Sequence, residues 1–94
     1  MNKYESVIIA NSNLDDGKVK QLTEKFSKLI NEHGKVEEIQ EMGKKKLAYP
    51  IQKQEEGYYV VLNFEAEPAF IAELERVYRI TDEILKFIVV RKED

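Results

Sequence analysis

Tyr58-Tyr59-Val60-Val61-Leu62-Asn63-Phe64-Glu65-Ala66 is the stretch that decides the architecture. Alternation sets Tyr58, Val60, Leu62, Phe64 and Ala66 on one side of a strand and Tyr59, Val61, Asn63 and Glu65 on the other. Both sides carry large apolar groups, so this strand belongs in the interior of a sheet. Lys3 to Ala10 (KYESVIIA) repeats the pattern, with Tyr4, Ser6, Ile8 and Ala10 opposite Glu5, Val7 and Ile9. These two strands form the expected centre.

Working outward, Asn11-Ser12-Asn13 is turn chemistry, because short polar side chains bond to nearby backbone. Asp15 is a helix N-cap whose carboxylate accepts from first-turn amides. Leu14 and Val19 have the spacing of a hydrophobic staple. Val19, Leu22, Phe26, Leu29 and Ile30 then mark one face of a helix over about Asp16 to His33. Gly34 fits the left-handed residue that commonly follows a helix end.

Lys35 to Leu47 is expected as a long charged strand. Its apolar points Val36, Ile39 and Met42 are spaced by three, which breaks alternation. A bulge or edge position near Glu41 to Gly43 accounts for this, with a short helix as the competing assignment. Pro50 again favours an edge, since proline cannot donate to a ladder. Gln52 to Gly57 is the expected hairpin loop. Pro68 suits the first position of a second helix. Phe70, Ile71, Leu74, Val77 and Tyr78 are its apolar face, and Thr81-Asp82 ends it. Lys86 to Arg91 is the last strand, with Phe87 and Val89 opposite Lys86, Ile88 and Val90.

The order β-α-β-β-α-β is the split βαβ, ferredoxin-like α+β arrangement. It predicts one domain over residues 1–94, with a four-stranded antiparallel sheet and both helices on one face. The helices can cover only that face. The other is left with Val7, Ile9, Tyr59, Val61, Ile88 and Val90. A contiguous apolar patch of this kind on a small protein marks an interaction site, unless long neighbouring side chains shield it.

Composition narrows the function. The chain has 94 residues, 43% hydrophobic and 35% charged, with no cysteine and a net charge of −3. There is no thiolate chemistry and no disulfide. No apolar run is long enough to span a bilayer, so cytoplasmic residence is the default. The acidic pI of about 5.3 argues against indiscriminate polyanion binding, which depends on cations that release counterions. The single histidine, His33, sits at a helix C-terminus, where its cationic form suits the helix dipole. No second histidine offers a metal pair. No Gly-rich loop follows a strand. Glu37-Glu38 and Glu55-Glu56 point to opposite faces of a strand and assemble no acid/base pair. No catalytic residue, metal or cofactor is implied. What remains is Gly43-Lys44-Lys45-Lys46-Leu47-Ala48-Tyr49-Pro50-Ile51, three cations joined to an apolar, aromatic segment. The lysines suit a phosphate backbone, or equally the protection of a sheet edge from aggregation.

That segment, with Lys53 and Gly57-Tyr58, the opening Lys3-Tyr4-Glu5, the loop Asn11 to Leu14 and the terminal Arg79-Ile80-Thr81-Asp82 to Val89-Val90, resembles the family of bacterial ribosomal protein six of the small subunit. The resemblance spans nearly the whole chain in register. It implies a ferredoxin-like fold, no enzymatic activity and a structural role in the small ribosomal subunit. It also implies a heterodimer with ribosomal protein eighteen that binds the central domain of small-subunit (16S-type) ribosomal RNA during assembly. The implied RNA-facing cations are Lys3, Lys44, Lys45, Lys46, Arg79, Lys86 and Arg91. The partner surface expected beside them is Val7, Ile9, Tyr49, Tyr59, Val61, Ile88 and Val90. A basic partner would supply cationic surface that this acidic chain lacks. The alternative is a self-associating ferredoxin-like regulatory module that pairs its bare sheet faces without RNA.

Overall fold

The computed structural model describes residues 1–92. Its elements run β1 (Asn2–Asn11), α1 (Asp16–His33), β2 (Gly34–Ile51), β3 (Gln54–Ala66), α2 (Pro68–Ile80) and β4 (Ile84–Arg91). The four strands form one antiparallel sheet in the order β2-β3-β1-β4, so the two strands read as central are central. The arrangement is ferredoxin-like, as expected.

Both helices pack on the side carrying Tyr4, Ser6, Ile8, Val60, Leu62 and Phe64, all of which are buried. From α1 this core takes Val19, Phe26 and Ile30, and from α2 it takes Phe70, Leu74 and Tyr78. The ring edge of Phe26 meets Tyr78, with centroids 4.7 Å apart. The helix ends follow local chemistry. Asp15 accepts from the Lys18 amide at 2.8 Å, Pro68 opens α2, and the Thr81 hydroxyl donates to the Val77 carbonyl at 2.6 Å. His33 stacks on Phe70 at 4.6 Å, bringing the end of α1 against the start of α2.

Three expectations are corrected. Gly34 is not left-handed: its φ is −178° and ψ −138°. Glycine is needed there for a different reason, because a Cβ would lie 2.0 Å from the Glu65 carbonyl oxygen of β3. The helix thus runs straight into a strand whose first residue presses on its neighbour. The hairpin loop is not Gln52 to Gly57 but the two residues Gln52 and Lys53, with φ of 50° and 66°. Positive φ at both positions matches the twist of paired strands, although neither residue is the usual Asn or Gly. The strand assignment for Lys35 to Leu47 holds over the short helix, but β2 continues to Ile51.

The spacing of three in β2 has a simple origin. Val36 pairs with Phe64 and Ile39 with Leu62, so three steps on β2 match two on β3. A second shift lies between Glu41 and Gly43, where Met42 is the extra residue and Gly43 has φ +79°. The first bulge lets Val36 and Ile39 share one face despite the broken alternation.

Candidate nucleic-acid and partner interface

A third irregularity in β2 shapes the uncovered face. Lys46 pairs with Glu56 and Ile51 with Gln54, so five steps on β2 match two on β3. The surplus Leu47-Ala48-Tyr49-Pro50 leaves the ladder. Beyond Gly57 the hairpin outruns β1 and bends across its end. Gln54 Oε1 there accepts from the Ser12 amide at 3.1 Å and the Ser12 hydroxyl at 2.7 Å. Leu47 is buried against this bend. A Cβ on Gly57 would come within 2.5 Å of Ile9 Cγ2 and 3.6 Å of Leu47 Cδ2. The missing side chain leaves the space over Gly57 to Ile9 and Leu47, which flank it.

This changes the expected partner surface. Ile9 is only 8% exposed and Val61 only 7%. Ile9 is sealed by Leu47 across Gly57, and Val61 lies mid-sheet between Val7 and Gln40. Neither offers a docking side chain. Ile88 and Val90, at 48% and 47% exposure, are open. Val7 and Tyr59 are half-buried between them and the hairpin. The bare strip is therefore centred on β4, with Val7 of β1 and Tyr59 of β3 only partly open beside it. Tyr49, expected among the partner contacts, is 63% exposed. It reaches past β1 to β4, where the Lys86 ammonium sits 5.9 Å from its ring centroid.

The seven expected cations do not form one patch. The ladder register places Lys45 and Lys86 at the hairpin end of the sheet, and Lys3 and Arg91 at the other. Six steps of β1, from Lys3 to the Lys86 partner Ile9, separate those ends, about 20 Å at strand rise. Faces differ as well. Lys3, Lys45 and Lys86 stand on the bare side, whereas Lys44, Lys46 and Arg91 alternate to the helix side. Lys3 is 3.8 Å from the Glu37 carboxylate. Lys44 lies over the Tyr58 ring at 5.3 Å, and the Tyr58 hydroxyl donates to Asp16 at 3.2 Å. Partial burial and the Asp16 carboxylate raise the Tyr58 pKa above its ordinary value. Lys44 thus faces the start of α1.

Lys86 and Arg79 do come together. The Arg79 guanidinium covers the Phe87 ring at 5.8 Å. Both cations line a groove of about 300 Å³ with Gln52, Tyr78, Ile84, Leu85 and Phe87. No carboxylate lines it. By contrast, the groove between α1 and β2 contains Asp16 and Glu41, and the one between α1 and the start of β4 contains Glu83. Gln52 was placed in the loop by the sequence but not in the site. Its role depends on the bend of the hairpin, for which the sequence carries only the indirect signals of Gly57 and the surplus apolar Leu47.

No group of three or more His, Asp or Glu side chains could hold a metal ion among the described residues. The Arg76 guanidinium does bind Glu73 at 3.1 Å through Nε, and this holds the Glu73 carboxyl below its ordinary range. That pair is exposed on α2 and belongs to no cleft.

With this geometry in view, similarity to known proteins is extensive. The family profile described as Ribosomal protein S6 matches residues 3–91. Small ribosomal subunit protein bS6 of Clostridium novyi is 49% identical over 94 residues, 99% of each chain. The bS6 protein of Caldanaerobacter subterraneus subsp. tengcongensis is 46% identical over 95 aligned positions that cover all of both. The crystal structure of 30S ribosomal protein S6 from Thermotoga maritima superposes with a TM-score of 0.92 at 35% identity, covering 97% of this chain and 87% of that one. By name these relatives are proteins of the small ribosomal subunit. Identity of this depth along the whole chain means that it belongs to the ribosomal protein S6 family of the small ribosomal subunit.

Proposed function

We propose that the chain binds the central domain of small-subunit ribosomal RNA as a heterodimer with ribosomal protein eighteen during subunit assembly. The supporting observation is a separation of surfaces. An apolar strip, Ile88 and Val90 with Val7 and Tyr59, lies beside a cationic hairpin end that carries Lys45, Lys86 and Arg79. A chain of net charge −3 has little long-range attraction for a polyanion. A basic partner on the apolar strip would extend the cationic end into a surface large enough for RNA. Lys45 and Lys46, on opposite faces of the edge strand β2, contact phosphates that pass along that edge, whereas Lys3 and Arg91 mark the opposite end of the sheet.

The experiment compares binding of a central-domain RNA fragment by this chain alone, by ribosomal protein eighteen alone and by the mixture. The mixture binds at least tenfold more tightly than either protein alone. Equal affinity with and without the partner contradicts the proposal. Replacing Lys45 and Lys46 with Gln lowers the salt slope of binding by about two counterions' worth. An unchanged slope would leave these lysines as edge protection.

A further inference from the structure

We infer that Tyr49, Lys86, Arg79 and Gln52 form a site for one unstacked nucleotide of single-stranded RNA, with Tyr49 as the stacking surface and the neighbouring groove as the phosphate seat. This deepens the RNA-binding role proposed above and rests on it. Tyr49 projects from the bent hairpin with most of its surface in solvent. An exposed aromatic on a soluble chain is a natural platform for a base, since every base offers a π-face. The Lys86 ammonium 5.9 Å from its centroid links that ring to the groove that Lys86 also lines. Arg79 lines the same groove, steadied by the Phe87 ring. The side-chain amide of Gln52 can donate and accept toward a base edge. A groove of about 300 Å³ has room for a nucleotide's sugar and phosphate.

The lining favours nucleic acid over protein. Two cations face the groove and no carboxylate does, whereas the grooves beside α1 mix the two signs. The ring's position is also built rather than incidental. Leu47 and Ile9 both close on the bare Gly57, and Gln54 is tied to Ser12, so the hairpin is held over the end of β1. RNA recognition commonly uses such fixed aromatics on splayed bases of loops and bulges.

The test follows the chain by NMR while it is titrated with single-stranded hexa-adenylate RNA or with an unbroken RNA duplex of similar charge. Single strands shift the Tyr49 ring and Lys86 side-chain resonances upfield by ring current, and the duplex does not. Tyr49→Ala weakens hexa-adenylate binding by roughly five- to a hundredfold, and Tyr49→Phe keeps it. Arg79→Gln with Lys86→Gln lowers the salt slope instead. Equal binding by the Ala and Phe variants, or equal shifts from the duplex, overturns the site. So does loss of ribosomal protein eighteen binding in Tyr49→Ala with RNA binding unchanged, which would make Tyr49 a protein contact. If Tyr49 is silent while the heterodimer still binds central-domain RNA, the nucleotide site fails and the RNA-binding role stands. If no RNA binds in either assay, both fail.

Discussion

Ser6 Oγ and Tyr78 Oη lie 2.9 Å apart in the core, 72 positions apart in sequence, and join the central strand to α2. Both residues are almost completely buried. A serine on the covered face of β1 breaks an otherwise apolar row, and the hydroxyl of Tyr78 is what makes it tolerable. Ser6→Ala strands the phenol hydroxyl and costs about 1–3 kcal/mol by chemical denaturation. Ser6→Ala with Tyr78→Phe removes both polar groups. Its cost falls clearly below the sum of the single variants, the non-additivity expected of a contacting pair.

The same tyrosine gives a signature at high pH. Burial pushes its phenol far above the ordinary value of 10.0, with a smaller opposing effect from the Ser6 hydrogen bond. Above that ordinary value the unfolded chain loses the proton while the folded chain keeps it. Stability is therefore unaffected by this group below about pH 10 and falls above it, by up to about 1.4 kcal/mol per pH unit. Tyr78→Phe removes that component of the slope between pH 10 and 11. Denaturation midpoints of both proteins across that interval check it.

Gly34 offers a steric prediction. A methyl group there would meet the backbone of Glu65 and Ala66 at 2.0 and 2.9 Å. Backbone cannot rotate away as a side chain can. Gly34→Ala lowers stability by about 2–3 kcal/mol, as overpacking does. If glycine served only to relax a left-handed cap, Asn would restore stability. Here Gly34→Asn is as damaging as Gly34→Ala, as paired thermal melts would show.

The hairpin arm carries a prediction of its own. Leu47 belongs to a small buried cluster with Ile9, away from the main core. Leu47→Ala uncovers Ile9 and costs about 2 kcal/mol, at the low end for a buried leucine. The contact between the Tyr49 ring and Lys86 weakens with it, visible as loss of cross-peaks between their side chains. The Ser6–Tyr78 contact, on the other face, persists.

Much of this was legible in the sequence because alternation and helical spacing are local. Tyr58 to Ala66 and Lys3 to Ala10 announced two-faced strands, and Asp15 and Pro68 marked helix starts at the observed positions. The order of elements then left one topology with both helices on one face. What stayed hidden depends on distant backbone. Gly34 looks like a helix terminator until Glu65 is brought against it. The bend that seals Ile9 requires Leu47, Gly57 and Ile9 to meet from three strands, which spacing cannot reveal. Of the expected cations, Lys86 and Arg79 share a groove among the described residues, while strand register distributes the others over two faces and two ends.

The claim that the uncovered strip centred on β4 receives the partner is tested most directly with Ile88→Asp combined with Val90→Asp. Both side chains stand in solvent, so the variant keeps the wild-type fold and melts within a few degrees of it. Titration calorimetry against ribosomal protein eighteen then measures the surface itself. Affinity at least tenfold weaker, with an unchanged circular dichroism spectrum, is the expected result. Wild-type affinity in the doubly charged variant would contradict the account.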